Sequence, residues 1–252
     1  MIYFLAGLLT FPITTALTVA GVGAAFVLIP IFTTLGFPLH QSMAVALLLN
    51  SLAMLFALVR YIRNKLVLWK LSIPLIITIT IGAPLGVKLS YIIDSSIIII
   101  CFICFLVFAA IMIFTSKTKK EEDGSVTLTP VKIVLSGFAG LIMGVLAGLL
   151  GVGGGNIVLP TLLALGTKPK EAIGTTAVIV VFSSTSGFIG HIGMGSVDWL
   201  LVAVAAGAAI AGAIVGSWLM TDKLNPETIK KVLGVVLIAF AIKMAINLIF
   251  GG

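Results

Sequence analysis

Charge is what this chain has least of. Asp, Glu, Lys and Arg make up 9% of its 252 residues, against roughly 25% in a soluble domain. With 60% hydrophobic residues and a mean hydropathy of +1.31, an ordinary soluble domain is excluded. No Asp or Glu lies inside an apolar run; Asp94, Glu171, Asp198, Asp222 and Glu227 all stand at run ends. A relay of intramembrane carboxylates, common in pumps, therefore lacks its parts. HExxH, a paired intramembrane Asp and G-x-x-x-x-G-K-[ST] are also missing, which argues against intramembrane proteolysis and ATP-driven pumping. No enzyme activity, cofactor or metal is expected. Basic patches with interleaved aromatics are absent too, so the net charge of +7 does not point to nucleic acid. The two cysteines, Cys101 and Cys104, lie one helical turn apart in an apolar run and read as small helix-packing residues rather than a redox pair.

What the chain has instead is a series of apolar runs, several of them long enough to span a bilayer as a helix. They do not alternate as barrel strands would, so the fold class is an all-α polytopic membrane protein with the lipid bilayer as its surroundings. Residues 1–20 lack a basic leader and have an internal counterpart later in the chain, so they belong to the fold. Breaks and turn residues divide the first half at about 1–20, 24–36, 39–59, 70–93 and 96–115, and the second at about 131–150, 155–166, 171–190, 198–220 and 228–250. The expected organisation is a first membrane repeat over 1–116, a polar linker over 117–130 and a second repeat over 131–252.

Laying the second half over the first pairs positions 20–89 with 150–219 without a gap, and 14 of the 70 pairs are identical. Among them are Gly21/Gly151, Gly23/Gly153, Pro30/Pro160, Gly36/Gly166, Trp69/Trp199, Gly82/Gly212 and Gly86/Gly216. Helix breakers and an interfacial Trp in one register indicate a structural duplication. Charge sets the relation between the halves. If they are inverted, 13 of the 15 Lys and Arg fall on the linker side, with Lys88 and Lys243 opposite; a parallel arrangement of eight spans divides them almost evenly. Basic residues collect on the cytoplasmic side. The expectation is two inverted-topology repeats with a cytoplasmic linker and both termini outside. Each would hold a glycine-broken pair, re-entrant or two short spans, followed by three transmembrane helices.

The glycine breaks are the candidate site. Gly151-Val152-Gly153-Gly154-Gly155-Asn156, and the weaker copy from Gly21 through Gly23, interrupt apolar helices at corresponding points of the two halves. Broken helices so placed mark transporter binding sites. The helix that restarts after the break offers unpaired N–H groups and a positive dipole end to an anion. Gly82, Gly86, Gly212 and Gly216 read instead as helix-packing residues. Polar candidates on the next helix of each half are Asn50, Ser51, Thr175 and Thr176, Asn50 being costly to bury without partners. For Ser183, Ser184, Thr185 and Ser186 the expectation is a bond from each hydroxyl to its own i−4 carbonyl. His191, near a span end, reads as a solvated interfacial histidine or a proton sensor.

Gly-x-Gly-Gly-Gly-x-x-x-x-Pro from Gly151 to Pro160, then Gly166, Ala172, Gly174 and Thr175, with a degenerate first copy, two hydrophobic halves and a polar linker, resembles the sulfite exporter TauE/SafE family over nearly the whole chain. The resemblance implies a secondary transporter of the bacterial or archaeal plasma membrane. Its substrates would be small sulfur-containing or organic anions such as sulfite, sulfonates and sulfoacetate. The first copy departs from a glycine run at Ala24 and Ala25. An anion channel and a non-transporting scaffold stand as rivals, and a homo-oligomer stays open.

Overall fold

In the computed structural model the described residues are 2–19, 21–115, 130–164, 167–193 and 197–223, with the single positions 235, 238, 242 and 246. The linker up to residue 129, Gly166 and nearly all of the expected segment 228–250 lie outside them. Among the described residues the chain forms nine helices: α1 (Ile2–Val19), α2 (Ala25–Thr34), α3 (Leu39–Arg63), α4 (Trp69–Ser90), α5 (Ser95–Thr115), α6 (Pro130–Leu150), α7 (Gly155–Ala164), α8 (Pro169–Ile192) and α9 (Trp199–Asp222).

Helices follow from the apolar runs because backbone polar groups in hydrocarbon have no water to bond and must be paired within the segment. Five of them, α1, α3, α4, α8 and α9, are long and apolar enough to cross a membrane. The protein is thus a multi-pass membrane protein. By contrast α2 and α7 have 10 residues each and reach about 15 Å, half of a ~30 Å hydrocarbon core. The first member of the broken pair is therefore long and the second short. Two corresponding helix starts, those of α9 and α4, are closed by side chains. The Asp198 carboxylate accepts from the N–H groups of Leu200 and Leu201 at 3.0 and 2.9 Å and caps α9. At the corresponding start of α4 the Leu68 N–H donates to Thr175 Oγ1 of α8 at 3.0 Å.

The principal helix pairs are α4 on α6, α1 on α9, α3 on α8, α4 on α8 and α3 on α9. Each half thus lends its first helix to the other half: α1 lies on α9 as its counterpart α6 lies on α4. The mirrored glycines permit this. A Cβ on Gly82 would lie 2.6 Å from the Leu141 carbonyl oxygen of α6, and one on Gly212 would lie 2.6 Å from that of Phe11 on α1. Phe11 and Leu141 themselves occupy corresponding places in the two halves. At such a site Gly→Ala forfeits close backbone approach instead of gaining the usual ~1 kcal/mol of helix propensity. Gly82→Leu is expected to destabilise the protein by about 1–3 kcal/mol through overpacking. Gly207→Ala, with nothing within 4 Å of its Cβ position, is expected to leave stability unchanged or slightly raised. Thermal unfolding of both variants in detergent reads the difference.

Along α3 and α8 the contacts run in opposite order. His40 lies by His191 (ring centroids 6.4 Å), Asn50 bonds Ser184 at 2.9 Å, and Leu68, just past the end of α3, bonds Thr175. Ascending numbers on one helix meet descending numbers on the other, so these two counterpart helices are antiparallel.

Two expectations are corrected here. Cys101 and Cys104 are both exposed on α5 and do not pack between helices; in a bilayer that apolar face meets lipid. His191 is fully buried, not solvated. The end of α8 tucks under the start of α3 and the end of α4. There the Tyr91 hydroxyl lies 3.1 Å from His191 Nδ1, and His40 stacks on the Tyr91 ring at 4.2 Å.

Candidate functional site

The two breaks have nearly the same backbone. Gly21 and Gly23 have φ of 71° and 80°, and Gly151 and Gly153 have 67° and 71°. They diverge one residue later, where Ala24 sits at φ −94° and its counterpart Gly154 at +78°. A Cβ on Gly154 would meet only ordinary contacts, Ala147 at 3.4 Å and Ser183 at 3.5 Å. The third glycine of the run is therefore required by a left-handed backbone, which side chains resist, and not by crowding.

The tips meet each other in the middle of the protein. A Cβ on Gly155 would strike the Val22 carbonyl oxygen of the opposite tip and lie 2.8 Å from Val180. Gly23 faces the Asn50 amide, and Gly153 faces both Asn50 and Ser184. One step outward, Gly21 rests on Ile173 of α8 and Gly151 on Met43 of α3, and Met43 and Ile173 again correspond between the halves. The structure thus gathers Gly23, Asn50, Gly153 and Gly155 at one junction, half-way along α3, with Gly21 and Gly151 flanking it.

Asn50 joins the parts. Its Oδ1 accepts from the Ala24 N–H at 2.7 Å, and its Nδ2 donates to Ser184 Oγ at 2.9 Å. The Ser183 hydroxyl donates to the Gly153 carbonyl. Ser51 and Thr185 share a hydrogen bond of 2.6 Å beside them. Of the four hydroxyls expected to bond their own i−4 carbonyls, only Thr185 does so, to Val181 at 2.7 Å. Ser186 donates to the Thr80 carbonyl of α4 at 2.7 Å. Their helix face is turned to other elements, so cross-helix acceptors win. Ser183 and Ser184 thus join the candidate site, where the sequence alone favours bonds within their own helix.

The second tip is the less satisfied one. The Ala24 N–H is capped by Asn50, but the residue in the corresponding place of the second half is Val180, which has no acceptor for the Gly154 N–H. Among the described hydrogen bonds none uses the N–H of Gly153, Gly154, Gly155 or Asn156. Asn156 is 2% exposed, and both its Oδ1 and its Nδ2 are buried without a partner. Thr176 Oγ1 is buried and unpaired as well. It stands on α8 between Ile173 and Val180, about one helical turn from each, and those two side chains also touch the tips. Thr175 lies away from the junction, bonded to the start of α4. A buried polar group left unpaired costs about 1–3 kcal/mol, so this helix start has hydrogen-bonding groups to offer a ligand or a water. The chemistry they offer is hydrogen-bond donation from fixed N–H groups with a positive helix end behind them, which suits an anion.

Comparison with known proteins agrees with a membrane protein. The family model for "Sulfite exporter TauE/SafE" matches residues 3–244. Among curated proteins, the chain is 25% identical to the probable membrane transporter protein YdhB of Bacillus subtilis over 214 residues, covering 83% of this chain and 85% of YdhB. It is 32% identical to the probable membrane transporter protein YunE of the same organism over 111 residues, 43% of this chain and only 40% of YunE. It is also 32% identical to sulfite exporter TauE/SafE family protein 1 of Arabidopsis thaliana over 101 residues, 40% of this chain and 22% of that protein. No solved structure is a significant match. With the family model spanning nearly all of it, the chain belongs to the sulfite exporter TauE/SafE family of membrane transporters.

Proposed function

We propose that the protein is a secondary carrier, working as an exporter, for small sulfur-containing or organic anions such as sulfite and sulfonates. The observation that carries this reading is the open start of α7: unpartnered N–H groups of Gly153 to Asn156 and the buried, unpaired Asn156 amide. Asn50, Ser51 and Thr176 line the same region. No Lys or Arg is among these residues, so the anion is held weakly, as release on the far side requires.

Alternating access fits the junction. Asn50 is 0% and Asn156 2% exposed, and a buried centre is what the occluded state of a carrier presents and an open channel does not. The antiparallel course of α3 and α8 and the reciprocal α1/α9 and α6/α4 pairs support two inverted repeats, 1–116 and 131–252, rocking about this centre. With basic residues inside, the 117–130 linker is cytoplasmic and both termini lie outside the plasma membrane of a prokaryote.

Reconstituted protein on a solid-supported membrane, challenged with sulfite, a sulfonate, a carboxylate, sulfate and chloride, tests the reading. A saturable current for one sulfur anion is expected. Gly154→Leu, which must enter a left-handed backbone at a cost of about 1–2 kcal/mol, is expected to cut it about tenfold. Silence across the panel and in radiolabelled counterflow would sink the carrier, and a current that never saturates would favour a channel.

A further inference from the structure

We propose that the cleft between the linker-side ends of α3 and α9 is a binding site for an anionic phospholipid. A cavity of about 230 Å³ lies there, room for several waters at ~30 Å³ each. Its lining changes character along the membrane normal. Phe56 and Val59 on α3 and Ile214 on α9 form an apolar floor, and all three are exposed toward the bilayer. Arg60, Arg63 and Asn64 form the upper part, and Ser217 lies a turn deeper, its hydroxyl donating to the Ile214 carbonyl. The spacing places Phe56, Val59, Arg60 and Arg63 on one face of α3, and Ile214, Ser217, Trp218 and Thr221 on the facing side of α9. From Phe56 to Arg63 the rise is roughly 10 Å, the distance over which a lipid passes from acyl chain to phosphate.

The charges leave one guanidinium to spare. Arg60 is committed: its Nη2 meets Asp222 Oδ2 at 2.6 Å and its Nε donates to Thr221 Oγ1 at 2.6 Å. Lys170 donates to the Thr221 carbonyl at 2.9 Å and adds a further positive charge nearby. Arg63 is exposed and makes no hydrogen bond or ion pair among the described residues. Its planar fork is suited to two oxygens of one phosphate. Trp218, exposed with Lys223 Nζ 6.0 Å above its ring, sets the headgroup level on α9. A soluble anion would gain nothing from the Phe56, Val59 and Ile214 floor, whereas a phospholipid uses both ends. This face carries the basic residues and so adjoins the cytoplasmic leaflet, where anionic headgroups attract Lys and Arg. The site is independent of what the tips transport.

Native mass spectrometry of the full chain, released from micelles with equal phosphatidylglycerol and phosphatidylcholine, tests it. Wild type is expected to retain phosphatidylglycerol about fivefold over phosphatidylcholine, the share of one basic residue facing an anionic headgroup. Arg63→Gln is expected to lose that preference, and Arg63→Lys to keep part of it. Thermal unfolding establishes that each variant is folded. Equal retention of the two lipids by wild type, or undiminished preference in Arg63→Gln, would overturn the proposal. Displacement of phosphatidylglycerol by millimolar inorganic phosphate would overturn it too, assigning the cleft to a soluble anion.

Discussion

Asn50→Asp is expected to stop anion transport while the protein still folds and inserts. The aspartate oxygen takes over the bond from the Ala24 N–H, and Ser184, now the acceptor at 2.9 Å from Asn50 Nδ2, can turn its hydroxyl round to donate. What changes is charge. A carboxylate about 5 Å from a bound anion repels it by roughly 3 kcal/mol at an effective dielectric constant of ~20, more than a hundredfold in affinity. Asn50→Leu separates this from folding. It strands the Ala24 N–H and Ser184 in a fully buried setting, at about 1–3 kcal/mol for each group. The leucine variant should therefore lose thermal stability and part of its flux; the aspartate variant, whose buried carboxylate also costs stability, should lose flux altogether. Uptake into proteoliposomes, normalised to monodisperse protein, distinguishes the two. Wild-type flux in Asn50→Asp would remove Asn50 from the anion's surroundings.

Gly155→Val is expected to act through the opposite tip. Its Cβ would run into the Val22 carbonyl oxygen, a backbone atom that no rotamer change can move away, and into Val180. The tips must separate or α7 must shift, at about 1–3 kcal/mol or more. Because the N–H groups of Gly153 to Asn156 move with that start, flux should fall at least tenfold even in protein that remains folded. Gly36→Ala is a fitting control for strain without collision: Gly36 also has a positive φ, 94°, but nothing lies within 4 Å of its Cβ position. It should lose some stability and little transport. Equal flux in wild type and Gly155→Val would mean that the tips do not work in contact.

The helices are legible in the sequence because membrane helices are written in breakers. Segments expected at 24–36, 39–59 and 155–166 appear as Ala25–Thr34, Leu39–Arg63 and Gly155–Ala164. The packing glycines are legible as well, since their shared register falls at the same depth in both halves. What spacing cannot supply is opposition across the fold. Nothing in the sequence near Ser184 says that Asn50 faces it, 134 residues away, so bonds within their own helix are the natural expectation for the serines. His191 is misread for the same reason: its burial comes from Tyr91 and His40, which are distant in the chain. The asymmetry of the tips is half legible. Ala24 opposite Gly154 shows in the sequence, but only the structure shows the right-handed φ of one and the left-handed φ of the other.

The exchange of first helices sets a schedule for making the protein. The partner surface of α6 on α4 is already synthesised when α6 emerges, but α1, complete at Val19, must wait for α9, which begins only at Trp199. At about 5–20 residues per second that is roughly 10–40 s. During that interval α1, with its buried Thr10, Thr14 and Thr18, sits in the bilayer with its glycine and threonine face uncovered. The first half cannot complete itself before the second arrives, so a truncated chain should be degraded rather than accumulate as a half-transporter.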